Sequence, residues 1–254
     1  MIIVAFTSGC SGESDVALPE LNPSRKTTAH KIPNFADMQD VKSKKKAFFS
    51  FLAPMAKEEN TLILEKRKAL LNLEKKQKQH LEFSSHEKKW LTSLAKRYKI
   101  KASLGTAKFW TLFKKRVDAI PLSLLLSQAA LESSWGTSRF SQKANNLFGH
   151  WCFKKGCGLV PKRRNSGAAH EVKKFKTVNN AISAYMLNLN THKVYLKLRN
   201  ARETLRQKGK PLTGIALAVG LEKYSERGLS YVHELQSMIA SNKLSAYDLN
   251  NESI

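Results

Sequence analysis

The chain is poor in acid, cysteine, glycine and proline. Only 20 of its 254 residues are Asp or Glu, against 44 Lys or Arg, for a formal net charge of +24. Three cysteines are too few for the disulfide framework of a small secreted scaffold. Twelve glycines and seven prolines exclude collagen-like and Pro-rich architectures. No run approaches the roughly 18 apolar residues of a membrane span. There is no internal repeat and no long low-complexity tract. What is present, 42% hydrophobic residues, is enough to bury a sizeable core in one or two domains.

The positive charge is uneven. Residues 1–40 carry three Lys/Arg against five Asp/Glu, residues 41–120 carry 21 against seven, and residues 121–254 carry 20 against eight. Such an excess favours a polyanionic partner: nucleic acid, anionic lipid or a bacterial wall polymer. The chain has no C2H2 pattern, no RNP-type aromatic motif and no Gly-rich phosphate loop, so no nucleic-acid partner is expected. A solvated basic surface that attracts anions weakly is the plainer reading.

Residues 1–40 read as a leader and flexible arm, punctuated by Pro19, Pro23 and Pro33. Met1–Phe6 is a short apolar run followed by Thr-Ser-Gly-Cys10, which resembles a bacterial lipoprotein signal with Cys10 as the lipidated residue. That would anchor the chain to a membrane and place it in the periplasm. The run lacks a preceding Lys or Arg, and an ordinary N-terminus is the alternative.

From Val41 to Lys101 the pattern is helical. Leu62, Leu64, Leu70, Leu71, Leu73 and Leu81 recur among Lys, Glu and Gln, which predicts one long basic amphipathic helix or two. We separate 41–87 as a basic helical region, 88–245 as a compact domain and 246–254 as a tail. Within the compact domain the pattern predicts helices near 87–98, 105–116, 121–134, 178–190, 193–207, 212–220 and 228–241. Residues 145–177 read as loop, with a short hairpin around Gly158–Val160 and Val172–Phe175.

One carboxylate stands apart. Of the eight acids after residue 120, seven sit among polar or charged neighbours, whereas Glu132 ends an apolar stretch, Pro121-Leu-Ser-Leu-Leu-Leu-Ser-Gln-Ala-Ala-Leu-Glu132. Pro121 suits the first turn of a helix and Gly136 its C-terminal cap. Leu125, Gln128 and Glu132 then share a face, with Trp135 close by. Burial raises a carboxyl pKa, and a Glu that holds its proton near neutral pH can act as a general acid, as glycoside cleavage requires. A structural pairing of Glu132 with Arg116 or Arg139 is the alternative.

Cys152 and Cys157 flank Phe-Lys-Lys-Gly156. In an exported protein a disulfide is the expected state of such a pair. A zinc site of His150, Cys152, Cys157 and His170 competes, but its spacing exceeds the usual structural-zinc range. We therefore expect a disulfide, no metal and no cofactor.

Ser127-Gln-Ala-Ala-Leu-Glu132-Ser-Ser-Trp-Gly136, followed by Asn145-Asn-Leu-Phe-Gly149, resembles the glucosaminidase domain of family-73 glycoside hydrolases. These are bacterial peptidoglycan hydrolases with a lysozyme-like fold. The longer stretch from Val117 to Gly158 resembles the bacterial Bax-type group within that family, and the likeness covers roughly residues 88–245. It implies a mainly α, lysozyme-like domain with a small β-hairpin element, preceded here by the basic helical segment. It implies Glu132 as general acid and Asn145, Asn146, Phe148 and Gly149 as lining of the sugar cleft. Tyr224, in Lys-Tyr224-Ser-Glu, matches a tyrosine near the cleft, and Tyr231 is a second candidate; packing tyrosines are the alternative. Glu171, 39 residues after Glu132, is the candidate second carboxylate, positioning water or stabilising positive charge at the anomeric carbon. Gln128, Trp135 and Trp151 complete the expected substrate contacts.

The expectation is a β-N-acetylglucosaminidase acting on the glycan strands of bacterial peptidoglycan in the cell envelope. A lytic transglycosylase, which needs no second carboxylate, is the first alternative. A non-catalytic module that binds glycan or nucleic acid is the second.

Overall fold

The computed structural model describes residues 15–22, 31–162, 164, 167 and 169–248. Cys10, and with it the lipidation reading, lies outside the described residues. The described chain is mainly helical, with one small antiparallel sheet.

The basic region begins as a single helix, α1, Val41–Lys78. Asp40 starts it by accepting a 2.6 Å hydrogen bond from the Ser43 amide. The helix passes through Pro54, whose ring nitrogen has no hydrogen to donate to the preceding turn. The predicted helical run then breaks, and α2, Ser85–Arg97, restarts on a capping box of Ser84 and Glu87. Two helices, not one, therefore fill 41–101.

α1 is not a separate appendage. Its Phe48, Phe49, Leu52, Met55, Ile63, Leu70 and Leu73 are buried in one continuous core with α3 (Ala107–Arg116), α4 (Leu122–Ser133) and α6 (Val178–Thr191). The arm also joins in. Ile32 and Phe35 are buried, the Val16 amide donates to Glu87, and the Trp90 indole donates to the Pro19 carbonyl.

A short helix absent from the sequence reading, α5 (Arg139–Ala144), comes after α4. Strands β1 (Trp151–Cys152), β2 (Gly158–Leu159) and β3 (Glu171–Lys173) then form a sheet in the order β1-β3-β2. The expected hairpin is present as β2 and β3, and β1 adds a third strand through Cys152 opposite Glu171. Helices α7 (Leu196–Gln207), α8 (Gly214–Ala218) and α9 (Leu229–Ser241) close the domain. The tail read from 246 is integral at its start: Asp248 accepts from the Ser123 amide and hydroxyl and from the Gly214 amide.

Candidate active site

α4 presents Glu132 because the helix is apolar on nearly every side. Leu124, Leu125, Leu126, Ala129 and Ala130 are fully buried, so only its last turn reaches an edge. The helix stops at Ser133, and Ser134, Trp135 and Gly136 all take positive φ, at 51°, 59° and 76°. The cap expected at Gly136 is thus spread over three left-handed residues, two of which carry a side chain that disfavours this conformation by roughly 1–2 kcal/mol each. Packing offsets that strain. Trp135 inserts against Phe48 and Phe49 with ring centroids 5.8 and 5.4 Å away, and the Lys45 ammonium lies 5.0 Å from its ring. Gly136 is required beneath Phe35, where a Cβ would sit 2.8 Å from the ring. Where a sugar contact is expected at Trp135, this turn directs the indole onto α1 and leaves it half-buried.

Glu132 is half-buried, and a directed chain of hydrogen bonds leads to it. The Tyr185 hydroxyl donates to Gln128 Oε1. Gln128 Nε2 donates to the Tyr231 hydroxyl at 2.9 Å, and that hydroxyl donates to Glu132 Oε1 at 2.8 Å. Gln128 is 0% exposed, so it orients Tyr231 and does not meet substrate as expected. Burial raises the Glu132 pKa above its ordinary value, while the Tyr231 bond and the Arg227 charge oppose the rise. The structural alternative is not realised: Arg116 donates to the Tyr98 and Lys99 carbonyls, and Arg139 to that of Val160.

The second motif meets the first at Gly149. Its φ of +66° favours glycine, and a Cβ there would lie 3.8 Å from Glu132 Oε2. Phe148 stacks on Tyr185 at 4.1 Å, and its carbonyl accepts from the Tyr224 hydroxyl at 2.8 Å. Tyr224 in turn stacks parallel to Tyr231 at 5.6 Å. Both expected tyrosines thus sit at Glu132, Tyr231 in direct contact and Tyr224 one ring behind. Asn145 and Asn146 do not offer free amides to a sugar. Asn145 donates to the Phe175 and Lys176 carbonyls, and Asn146 clamps the turn and β3 through His150 and Lys173. They position Phe148 and Gly149. His150 is half-buried beside them, and desolvation with the Lys173 charge lowers its pKa to about 4.

The structure joins Cys152 to Cys157 in a disulfide. Glu171 spans the same loop, accepting from the Gly156 amide at 2.9 Å and the Gly158 amide at 2.8 Å. Those two amides hold its carboxyl below the ordinary range. It makes no hydrogen bond to Glu132. Among the described residues, Cys152, Cys157 and Glu171 form the one trio with metal-ligand spacing, and the disulfide and amides occupy all three. Beyond Gly149, Trp151 is 58% exposed and stacks on His170, and Phe153 is 74% exposed.

The sequence reading missed Tyr185, Arg227 and Glu234. Tyr185 is the one aromatic residue of α6, a signal available in the sequence. Arg227 and Glu234 pair at 2.6 Å and place opposing charges near Glu132, which no spacing announced.

The chain matches the family model described as glucosaminidase, mannosyl-glycoprotein endo-beta-N-acetylglucosaminidase, over residues 107–244. It is 36% identical over 213 residues to Protein bax of Escherichia coli (strain K12), spanning 84% of this chain and 74% of that protein. Among solved structures it is similar to the catalytic domain of the autolysin Auto from Listeria monocytogenes, with a TM-score of 0.46 and 16% identity. That likeness spans 84% of this chain and 92% of the other.

Proposed function

The chain belongs to the glucosaminidase family, and from that premise we propose that it is a β-N-acetylglucosaminidase of bacterial peptidoglycan with Glu132 as its general acid. The observation that carries this is the carboxyl group at the end of α4. Its desolvation raises the pKa and so favours the protonated form, and Tyr231 holds it in one orientation beside the Gly149 backbone. A glycosidic oxygen above it would receive the proton as the bond to the anomeric carbon breaks, so the departing sugar leaves as a neutral alcohol. Water then adds at the anomeric carbon and yields a reducing end.

We assign Glu171 to holding the disulfide loop, because both its oxygens already accept backbone amides. Trp151 and Phe153, exposed on that loop's lobe, would offer ring faces to sugars beyond the cleavage point. A second reading, lytic transglycosylation, is favoured by one specific observation: Glu171, the candidate second carboxylate, is occupied away from Glu132. The proposed setting is the cell envelope, where wall polymers are polyanionic and this chain is strongly cationic. No helix among the described residues is long and apolar enough to cross a membrane.

Mass spectrometry of fragments released from purified peptidoglycan tests the proposal. Reducing N-acetylglucosamine ends are expected. Anhydro-muramic ends would establish the transglycosylase, and an absence of fragments would overturn catalysis by this chain alone.

A further inference from the structure

Away from Glu132, a cavity of about 210 Å3 is lined by six cations and only two carboxylates. The cations are Arg67 of α1, Lys114 and Lys115 of α3, and Arg199, Arg202 and Arg206 of α7. Glu74 pairs with Lys114 at 2.7 Å, and Glu203 pairs with Lys115 at 2.8 Å, a contact that uses one of the three donors of each ammonium. Beyond those pairs stand four guanidinium groups and one carboxylate, Asp118, which is 2% exposed and meets three of them, Arg67, Arg202 and Arg206, at 3.5, 3.7 and 3.0 Å. Arg199 is equally buried, and its Nε has no acceptor among the described residues.

The guanidinium groups are fixed, not loose. Arg202 donates to the Lys115, Asp118 and Ala119 carbonyls, and Arg67 to those of Lys114 and Val117. The carbonyls of Lys114, Lys115 and Val117 end α3, those of Asp118 and Ala119 follow it, and all carry only partial negative charge. Arg206 turns Nε and one Nη to Asp118, which leaves its other Nη free, with 39% of the side chain exposed. Burial first, and then neighbouring guanidinium groups, push Arg199 down to about 10, and burial with the Arg67 and Arg206 charges brings Arg202 to about 10 against the opposing Asp118 charge. The protein has thus assembled mutually repelling cations around a space that its own acids do not balance.

We propose that this cavity binds a phosphoryl anion. Its cations come from three helices and so surround a point, which suits a tetrahedral group with several oxygens better than a planar carboxylate. A phosphomonoester carries close to two negative charges at neutral pH, in keeping with the local excess. The volume admits one phosphate group with part of its ester or a few waters, each of which occupies about 30 Å3. Asp118, which lines the cavity, precedes α4 by four residues, and Glu132 lies about 15 Å along that helix from its first residue. The ligand is therefore separate from the cleaved glycan bond. Its source is a soluble phosphate ester or a lipid headgroup.

Titration calorimetry of the whole protein with inorganic phosphate, against sodium chloride at matched ionic strength, is the test. Saturable one-site binding is expected, with affinity falling at least tenfold in Lys115→Gln and in Arg206→Gln. Lys42→Gln, at the far end of α1, should leave it unchanged. Lys115 does not touch Asp118, so its variant separates lost binding from a disturbed core, and circular dichroism confirms that it is folded. Vesicles of phosphatidic acid assign the source: capture that phosphate competes away means a headgroup, and no capture means a soluble ester. An unsaturable response, or equal loss in all three variants, would show general charge screening and overturn the site.

Discussion

At the residue scale the decisive pair is Glu132 and Tyr231. Replacing Glu132 by Gln keeps the hydrogen bond from Tyr231 but removes the transferable proton, so turnover should fall about 10²- to 10⁴-fold with the fold intact. Steady-state release of soluble fragments measures it, and turnover within a factor of two of the native rate would remove Glu132 as the acid. The pH dependence has a definite sign. A general acid works only while protonated, so activity should be lost as pH rises through the Glu132 pKa, which burial places above the ordinary carboxyl value. Tyr231 donates to the carboxylate and thereby favours the charged form. Tyr231→Phe should therefore raise that pKa and move the basic limb of the rate profile to higher pH. A basic limb that moves to lower pH, or stays in place, would contradict the hydrogen-bond direction assigned to Tyr231. The variant also strands buried Gln128 Nε2, at a cost of about 1–3 kcal/mol in denaturant titrations.

At the element scale, what the sequence discloses depends on where each partner comes from. Glu132 is legible because it is an acid at the end of an apolar helix, whereas Tyr231, Arg227 and Glu234, which also act on its pKa, come from a distant part of the chain. Gln128 is legible as a neighbour of Glu132 but not as a buried bridge, because its partners Tyr185 and Tyr231 arrive from α6 and α9. Trp135 misleads for a similar reason. Its position beside Glu132 implies a cleft, and only three successive left-handed residues turn it onto α1. Glu171 reads as a free acid in a polar loop because its partners are backbone amides, which no side-chain pattern records. Helix starts are more local and more readable. The Ser84 hydroxyl accepts from the Glu87 amide, while the Glu87 carboxylate accepts from Ser84, Val16 and Lys76. Ser84→Ala should cost about 1 kcal/mol by chemical denaturation, and no measurable change would mean that Glu87 alone holds the start of α2.

For the molecule as a whole, Asp118 ties three elements together. It receives Arg67 from α1 and Arg202 and Arg206 from α7, just ahead of α4. Burial alone would raise its pKa, but the Arg202 and Arg67 charges and the Arg206 hydrogen bond hold it below the ordinary value. Its contribution to stability is therefore complete above the unfolded value of about 3.9 and lost as pH falls through the lower folded value. Asp118→Asn should destabilise the fold by about 3–5 kcal/mol, since it leaves buried guanidinium groups unbalanced. It should also flatten the acid limb of the stability profile. Denaturant titrations at a series of acidic pH values would check both, and a variant with native stability would mean that the carbonyl bonds alone hold the arginines.

The placement of α1 in the shared core also has a consequence in time. During synthesis α1 is finished early, yet the helices that cover Phe48, Leu52, Ile63 and Leu73 come much later, the last of them ending at Thr191. Roughly 110 further residues must be added first, which at about 5–20 residues per second takes on the order of ten seconds. For that interval the nascent chain carries a long helix whose greasy side is covered only piecemeal, by Phe35 ahead of it and then by α3 and α4 as they emerge. The fold cannot form in the order in which it is made, and its first helix must wait for its last partners.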